Sequence, residues 1–184
     1  MTVEKKALRK EIGQRRAEAH SKVDPSPALS NLAELLSKTE GPVSFYWPIR
    51  TEIDPRPVMT ELAKSRDVCL PVTEGFAPLS FRRWTEGAEL DVDGFGVAVP
   101  AVNDPVVPRV LVVPMLAFDA NCHRLGYGAG HYDRTLEKLR AEGPVLAYGL
   151  AYSAQQVADP LPTEQTDQAL NAIVTESGVL RPER

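Results

Sequence analysis

Apolar positions recur at two different periods along the chain. Over "TVEKKALRKEIGQRRAEAH", Val3, Leu8, Ile12 and Ala19 fall near one side of a helix while cations cover much of the rest. Leu29, Leu32, Leu35 and Leu36 repeat at helical spacing and predict a second helix from about Pro27 to Lys38, closed by Gly41-Pro42. The pattern then changes to short apolar runs: "VSFYW", "VCLPV", "LSFRRW", "RVLVVP", "VLAYGLAY" and "NAIVT", with helical stretches after Pro55 and after Gly130. Runs such as "RVLVV" lack apolar–polar alternation, as expected of strands covered on both faces of a mainly parallel sheet. Helices interspersed with such strands predict an α/β fold. Pro48, Pro71, Pro100 and Pro114 are expected to end strands, because each lacks the next backbone donor. The least regular part, Gly75 to Pro108, predicts a functional loop region that includes a hairpin.

Composition narrows the classes. The 184 residues, 43% hydrophobic and 25% charged, suffice for one substantial core, and a single domain over residues 1–184 is expected. A formal net charge of -4 gives no broad positive field for a nucleic-acid backbone, yet leaves room for a small anion held locally. Lys5, Lys6, Arg9, Lys10, Arg15 and Arg16 occupy the region where a secretory signal needs apolar residues, and no later run is long enough to span a bilayer. The expectation is a cytoplasmic protein acting on small molecules, with no nucleic-acid or membrane partner. Cys69 and Cys122 lie far apart and outside any paired-cysteine motif, against a disulfide framework or thiolate zinc site. Cys122, His123 and His131 lack tetrahedral ligand spacing and read as exposed loop residues.

Candidate chemistry concentrates in "RLGYGAGHYDRTL", Arg124 to Leu136, where Gly126, Gly128 and Gly130 alternate ahead of a predicted helix. Glycines there admit positive φ and close approach to backbone N–H groups, and the helix start adds its positive end. Phosphate is the natural ligand. A P-loop needs Gly-Lys-Ser/Thr where the chain has Gly130-His131-Tyr132, and a dinucleotide fingerprint needs glycine at His131. Spacing alone leaves a purely structural turn equally open. Arg124 and Arg134 add charge-assisted donors, while Asp133 suits a hard cation or simply the first turn of a helix.

"LVVPMLAFDANCHRLGYGAGHYDRTL" resembles the signature of the 5-formyltetrahydrofolate cyclo-ligase family, also called methenyltetrahydrofolate synthetases, in its proline-ended strand, Phe-Asp turn and glycine block. The resemblance extends along nearly the whole chain. It implies a three-layer α/β/α sandwich like those of phosphosugar isomerases and CoA transferases. It also implies ATP-dependent closure of 5-formyltetrahydrofolate to 5,10-methenyltetrahydrofolate, with Mg²⁺ as cofactor and a monomer as the working unit. On this resemblance ATP meets Lys5 and Arg9 of "EKKALRKEI", Arg124, Leu125, Gly126, Tyr127, Gly128, Ala129, Gly130, His131 and Tyr132. The folate meets Trp47 and Glu52 of "WPIRTEID", Phe95 of "GFGVAVPAV", and Tyr132. Mg²⁺ meets Asp133 and Asp167, the latter in "ADPLPTEQTDQALNAIVTE", and Arg124 and Asp133 are the implied catalytic pair.

Taken singly, these residues have ordinary explanations: a solvated helix face for Lys5 and Arg9, a core aromatic for Trp47, a surface acid for Glu52, a helix cap for Asp167. Phe95 is by the same measure a buried loop anchor. The chain also departs from the family pattern. Val99 replaces a Glu or Gln, Thr166 stands where many relatives have His, and His131 replaces the first tyrosine of a pair. Another ATP-dependent cyclising or phosphoryl-transfer enzyme, or a non-catalytic folate- or nucleotide-binding regulator, are the competing readings.

Overall fold

The computed structural model describes the backbone of residues 3–182 and the side chains of residues 6–182. Helices α1 (Val3–Lys22) and α2 (Ser26–Ser37) precede strand β1 (Val43–Ser44). Helix α3 (Arg56–Leu62) leads to β2 (Val68–Val72) and β3 (Ser80–Trp84), and β4 (Leu90–Val92) with β5 (Ala98–Pro100) forms the hairpin expected between Gly75 and Pro108. Strands β6 (Val110–Val113), β7 (Ala117–Phe118) and β8 (Arg124–Leu125) are followed by α4 (His131–Glu142), β9 (Leu146–Leu150), β10 (Ala172–Thr175) and β11 (Gly178–Leu180).

Seven strands form the central sheet in the order β11-β10-β9-β6-β1-β2-β3. The inner neighbours run parallel, and the antiparallel pairs β10–β11 and β2–β3 close its two edges. Register explains the continuous apolar runs. Val110 and Val112 pack with Leu32, Leu36 and Met59 beneath α2 and α3, whereas Leu111 and Val113 pack with Leu136 and Leu139 of α4. Each strand therefore feeds two cores, and the layers are helix, sheet, helix.

Two strand expectations need correction. The run "VSFYW" supplies only Val43–Ser44 to the sheet; the Phe45 N–H still donates to the Cys69 carbonyl at 3.0 Å, after which the chain turns away. Pro71 lies inside β2 rather than at its end, opposite Phe81 of β3. It is tolerated because β1 pairs with β2 only at Val68 and Cys69, so the side of β2 that would need the Pro71 donor has no neighbouring strand.

β1 joins β2 on one side and β6 on the other, so the order reverses at β1. The crevice beyond the carboxyl ends of such strands is where open α/β sheets admit ligands. Among the described residues no helix is long and apolar enough to cross a membrane.

Candidate functional site

A cavity of about 840 Å³ opens at that reversal, lined by chain leaving β1, β2 and β6, by Leu125–Gly130, by the start of α4 and by residues 161–168. Every residue the family resemblance singled out borders it except Lys5, whose side chain lies outside the described residues.

The glycine loop is built as its sequence suggests, with one refinement. Gly128 and Gly130 have φ of 103° and 67°, and Gly130 is the N-cap of α4 with no side chain capping the helix. A Cβ on Gly128 would sit 3.2 Å from Nη2 of Arg9, and one on Gly130 would sit 2.8 Å from Nη1 of Arg134. The loop is thus bare partly to let two guanidinium groups approach. Gly126 has no such neighbour, but its carbonyl accepts from Arg9 Nε at 2.8 Å, fastening α1 to the loop. Arg9 Nη1, Arg134 Nε and His131 Nε2 are buried without a hydrogen-bond partner among the described residues. The two unpaired guanidinium donors, beside a helix N-terminus, favour an anion.

Arg124 and Asp133 are not independent. Arg124 Nη2 donates to Asp133 Oδ1 at 2.7 Å and Nη1 donates to the Gln168 carbonyl at 2.5 Å; the Gln168 N–H returns to Asp133 Oδ1 at 2.9 Å. These bonds join β8, α4 and the 161–168 segment. Asp167 accepts the Glu164 N–H at 2.8 Å in a turn, not at a helix start as a capping role would require. Among the described residues no group of three His, Cys, Asp or Glu side chains is placed to hold a metal.

Glu52 is buried, contrary to a surface acid. Oε2 accepts the Ile49 N–H at 2.9 Å, while Oε1 receives the Tyr127 hydroxyl at 3.4 Å and faces Arg16 Nη1 at 3.7 Å. Burial pushes its carboxyl above the usual range, against the opposing pull of the Ile49 N–H and of Arg16. Trp47 is half-buried against the core, with the Arg56 guanidinium 5.0 Å from its ring. Phe95, 56% exposed at the tip of the β4–β5 hairpin, meets His131 edge-on at 5.4 Å, so it is not a buried anchor. Tyr132 is held in its neutral form, chiefly by burial.

Sequence reasoning passed over Arg16 and misread Cys122. Arg16 falls on the apolar stripe of α1, four residues after Ile12 and three before Ala19, and it is buried with them. A cation in register with the apolar side was the available signal. Cys122 is fully buried, with a non-glycine φ of 61°, while His123 is partly covered and its Nδ1 sits 3.1 Å from Asp119 Oδ2. Asp119, buried, also accepts the Leu161 N–H at 3.0 Å and so carries the cavity's far wall.

The family model for "5-formyltetrahydrofolate cyclo-ligase family" matches residues 1–176. The chain belongs to that family. It is 34% identical to the 5-formyltetrahydrofolate cyclo-ligase of Haemophilus influenzae over 136 residues, covering 70% of this chain and 72% of the relative. Against the enzyme of the same name from Escherichia coli K12 it is 35% identical over 147 residues, 74% of this chain and 79% of the relative. Its fold superposes on the NMR structure of Aquifex aeolicus 5,10-methenyltetrahydrofolate synthetase with a TM-score of 0.77 and 29% identity, over 96% of this chain and 92% of that one.

Set against the cyclo-ligase family pattern, the three departures separate in space. Thr166 and His131 border the cavity, while Val99 is buried in β5 and does not. Only the first two are placed to touch a ligand.

Proposed function

We propose that the chain is a 5-formyltetrahydrofolate cyclo-ligase that consumes ATP and works as a monomeric, cytoplasmic, single-domain enzyme over residues 1–184. The observation that carries this reading is convergence: Arg9, Glu52, the glycine loop and Asp167, remote in sequence, border one cavity. Its volume suits small-molecule substrates, and its lining carries two chemistries. Unpaired donors gather at the glycine loop, and Glu52 adds a buried carboxylate.

The chemistry needs such a division. A formyl carbon bonded to nitrogen is a poor electrophile, and its oxygen is a poor leaving group. Transfer of the γ-phosphoryl group to that oxygen breaks the γ-phosphorus–bridging oxygen bond and releases ADP. N10 then attacks the formyl carbon, loses its proton, and phosphate departs as the C–O bond breaks, leaving the methenyl bridge. The protein has only to align the two substrates and stabilise charge on the transferring oxygens.

In this reading Lys5, Arg9, the loop amides and Arg134 hold the phosphates, Arg124 steadies the oxygens in transfer, and His131 contacts the nucleotide. Leu125, Tyr127 and Ala129 shape the same wall. Glu52 accepts from the pterin N–H donors, and Trp47, Phe95 and Tyr132 pack against its ring. Asp133 and Asp167 would hold Mg²⁺. Two carboxylates without a third protein ligand suit an ion that keeps most of its shell as water and phosphate oxygen, and its contribution is charge neutralisation on the phosphates.

One assay tests the reading. Pure protein with Mg-ATP and 5-formyltetrahydrofolate is expected to generate methenyl absorbance and ADP in equal amounts, each requiring both substrates. ATP loss without methenyl product points to another heterocycle; binding of both without turnover points to a regulator. Light scattering at assay concentration is expected to give the mass of one chain.

A further inference from the structure

Arg16 is 3% exposed, on the stripe of α1 that packs inward, and it makes polar contacts in four directions. Nε donates to Thr51 Oγ1 at 3.0 Å, Nη1 to the Met115 carbonyl at 3.4 Å, and Nη2 to the Tyr127 hydroxyl at 2.9 Å. Nη1 also faces Glu52 at 3.7 Å. A guanidinium taken from water needs such saturation, and its planar fork fixes the groups it binds relative to one another. Those groups come from separate stretches of chain at the cavity. Thr51 and Glu52 belong to the turn after β1, whereas Tyr127 stands between two glycines of the loop. The Tyr127 hydroxyl in turn donates toward Glu52, closing a triangle. Two turns earlier on the same face of α1, Arg9 binds the Gly126 carbonyl.

We propose that Arg16 is a positioning residue that locks Glu52 to the glycine loop through Tyr127, so that nucleotide and folate each bind more tightly when the other is present. This rests on the cyclo-ligase reading, which assigns the two ligands to the two stretches. Movement of the loop onto phosphate carries the Tyr127 hydroxyl, and the fork transmits that displacement to the carboxylate; coupling of this kind is reciprocal by necessity. Burial raises the pKa of Glu52, and Arg16 opposes that rise together with the Ile49 N–H. The groups facing that carboxyl are Arg16 of α1, Tyr46 and Arg50 of the chain after β1, Tyr127 of the loop and Tyr132 of α4. With Arg16 gone, the Ile49 N–H, the Tyr127 hydroxyl and Arg50 remain to oppose desolvation.

The test is the affinity for 5-formyltetrahydrofolate with and without Mg²⁺ and the β,γ-imido analogue of ATP, over pH 6 to 9. In the wild type the analogue is expected to tighten folate binding about fivefold or more. Arg16→Lys keeps the charge but loses the fork, so its pH profile stays wild-type while coupling falls to within about twofold of none. Arg16→Met loses both: coupling falls as in Arg16→Lys, and the pH profile of folate binding shifts upward relative to the wild type. Tyr127→Phe removes one hydroxyl from a 43% exposed side chain, so it retains the fold even where Arg16→Met does not, and its coupling is expected to fall as in Arg16→Lys. Wild-type coupling retained by both Arg16→Lys and Tyr127→Phe overturns the proposal, as does an uncoupled wild type. An enzyme that turns over normally while its variants stay coupled sinks only the role of Arg16. A wild type that neither binds nor converts the folate takes the cyclo-ligase reading down with it.

Discussion

Two arginine–carboxylate pairs meet at the same cavity, which Arg124, Asp133 and Glu52 line and Arg16 backs, and they differ in nearly every respect. Arg124 and Asp133 meet at 2.7 Å with side chains 7% and 24% exposed, in a ring of bonds closed by Gln168. Arg16 and Glu52 stand 3.7 Å apart, each 3% exposed, and their mutual contact is the longest of the polar contacts that either makes. The first pair holds a carboxylate at the edge of solvent, which in the proposed function exchanges its partner for another cation. The second holds one in the interior, fixed by the Ile49 N–H, the Tyr127 hydroxyl and Arg16. A tight pair can thus mark a place where bonds are to be traded, and a loose one a place where they are not.

Substitutions sharpen the contrast. The largest effect is expected from Asp133→Asn, which keeps an acceptor for Arg124 but removes the charge: turnover at saturating substrates should fall by about 10²- to 10³-fold, with a far-ultraviolet spectrum like the wild type's. Near-normal turnover across a Mg²⁺ titration would remove Asp133 from the ion site. Next, Glu52→Gln should raise the KM for the folate by about 10- to 100-fold with little change in kcat, the value of hydrogen bonds to a charged group. A fall in kcat at unchanged KM would make the two carboxylates equivalent and erase the distinction. Arg9→Ala, which removes a cation beside the loop from outside either pair, should raise the KM for ATP about tenfold; isothermal titration with the imido analogue reads this directly.

The smallest expected effect concerns stability and uses Asp119 as a reference acid. Burial raises its pKa, but the N–H groups of Leu161 and His123 outweigh this and hold it below the ordinary aspartate value. Its contribution is therefore present above the unfolded-state pKa and lost as pH falls through the lower folded one. Asp119→Asn should lower stability at neutral pH by about 1–2 kcal/mol and flatten the acid limb of a denaturation series. Glu52 shifts the opposite way, so Glu52→Gln should steepen that limb: as pH falls toward its raised folded pKa, the native state of the wild type gains a proton the unfolded chain does not yet hold. Equal acid limbs in the two variants would contradict the contrast.

Much of this was legible in the chain because the deciding signals were local. Unbroken apolar runs announced strands with two covered faces, and the bare alternation from Gly126 to Gly130 announced a close approach. What approaches was not legible: nothing near Gly128 in sequence points to Arg9. Arg16 was hidden for a related reason. A run of cations looks solvated until the apolar register is followed through it, and only packing against Thr51, Met115 and Tyr127 shows which one turns inward. The family resemblance supplied the candidate ligands of Glu52 and Asp167, residues whose neighbours alone favoured dull roles. Cys122 reads as an exposed loop residue once metal spacing is ruled out, whereas it is fully buried in the core shared with α4, a packing that spacing does not reveal.

The bond from Arg9 to the Gly126 carbonyl spans 117 positions, and the wall beyond it is fastened later still, where Gln168 meets Arg124. Contacts of such range form slowly and late. A ribosome therefore releases helix α1 long before the loop it clasps exists, and the wall around the cavity can close only after residue 168 has been made.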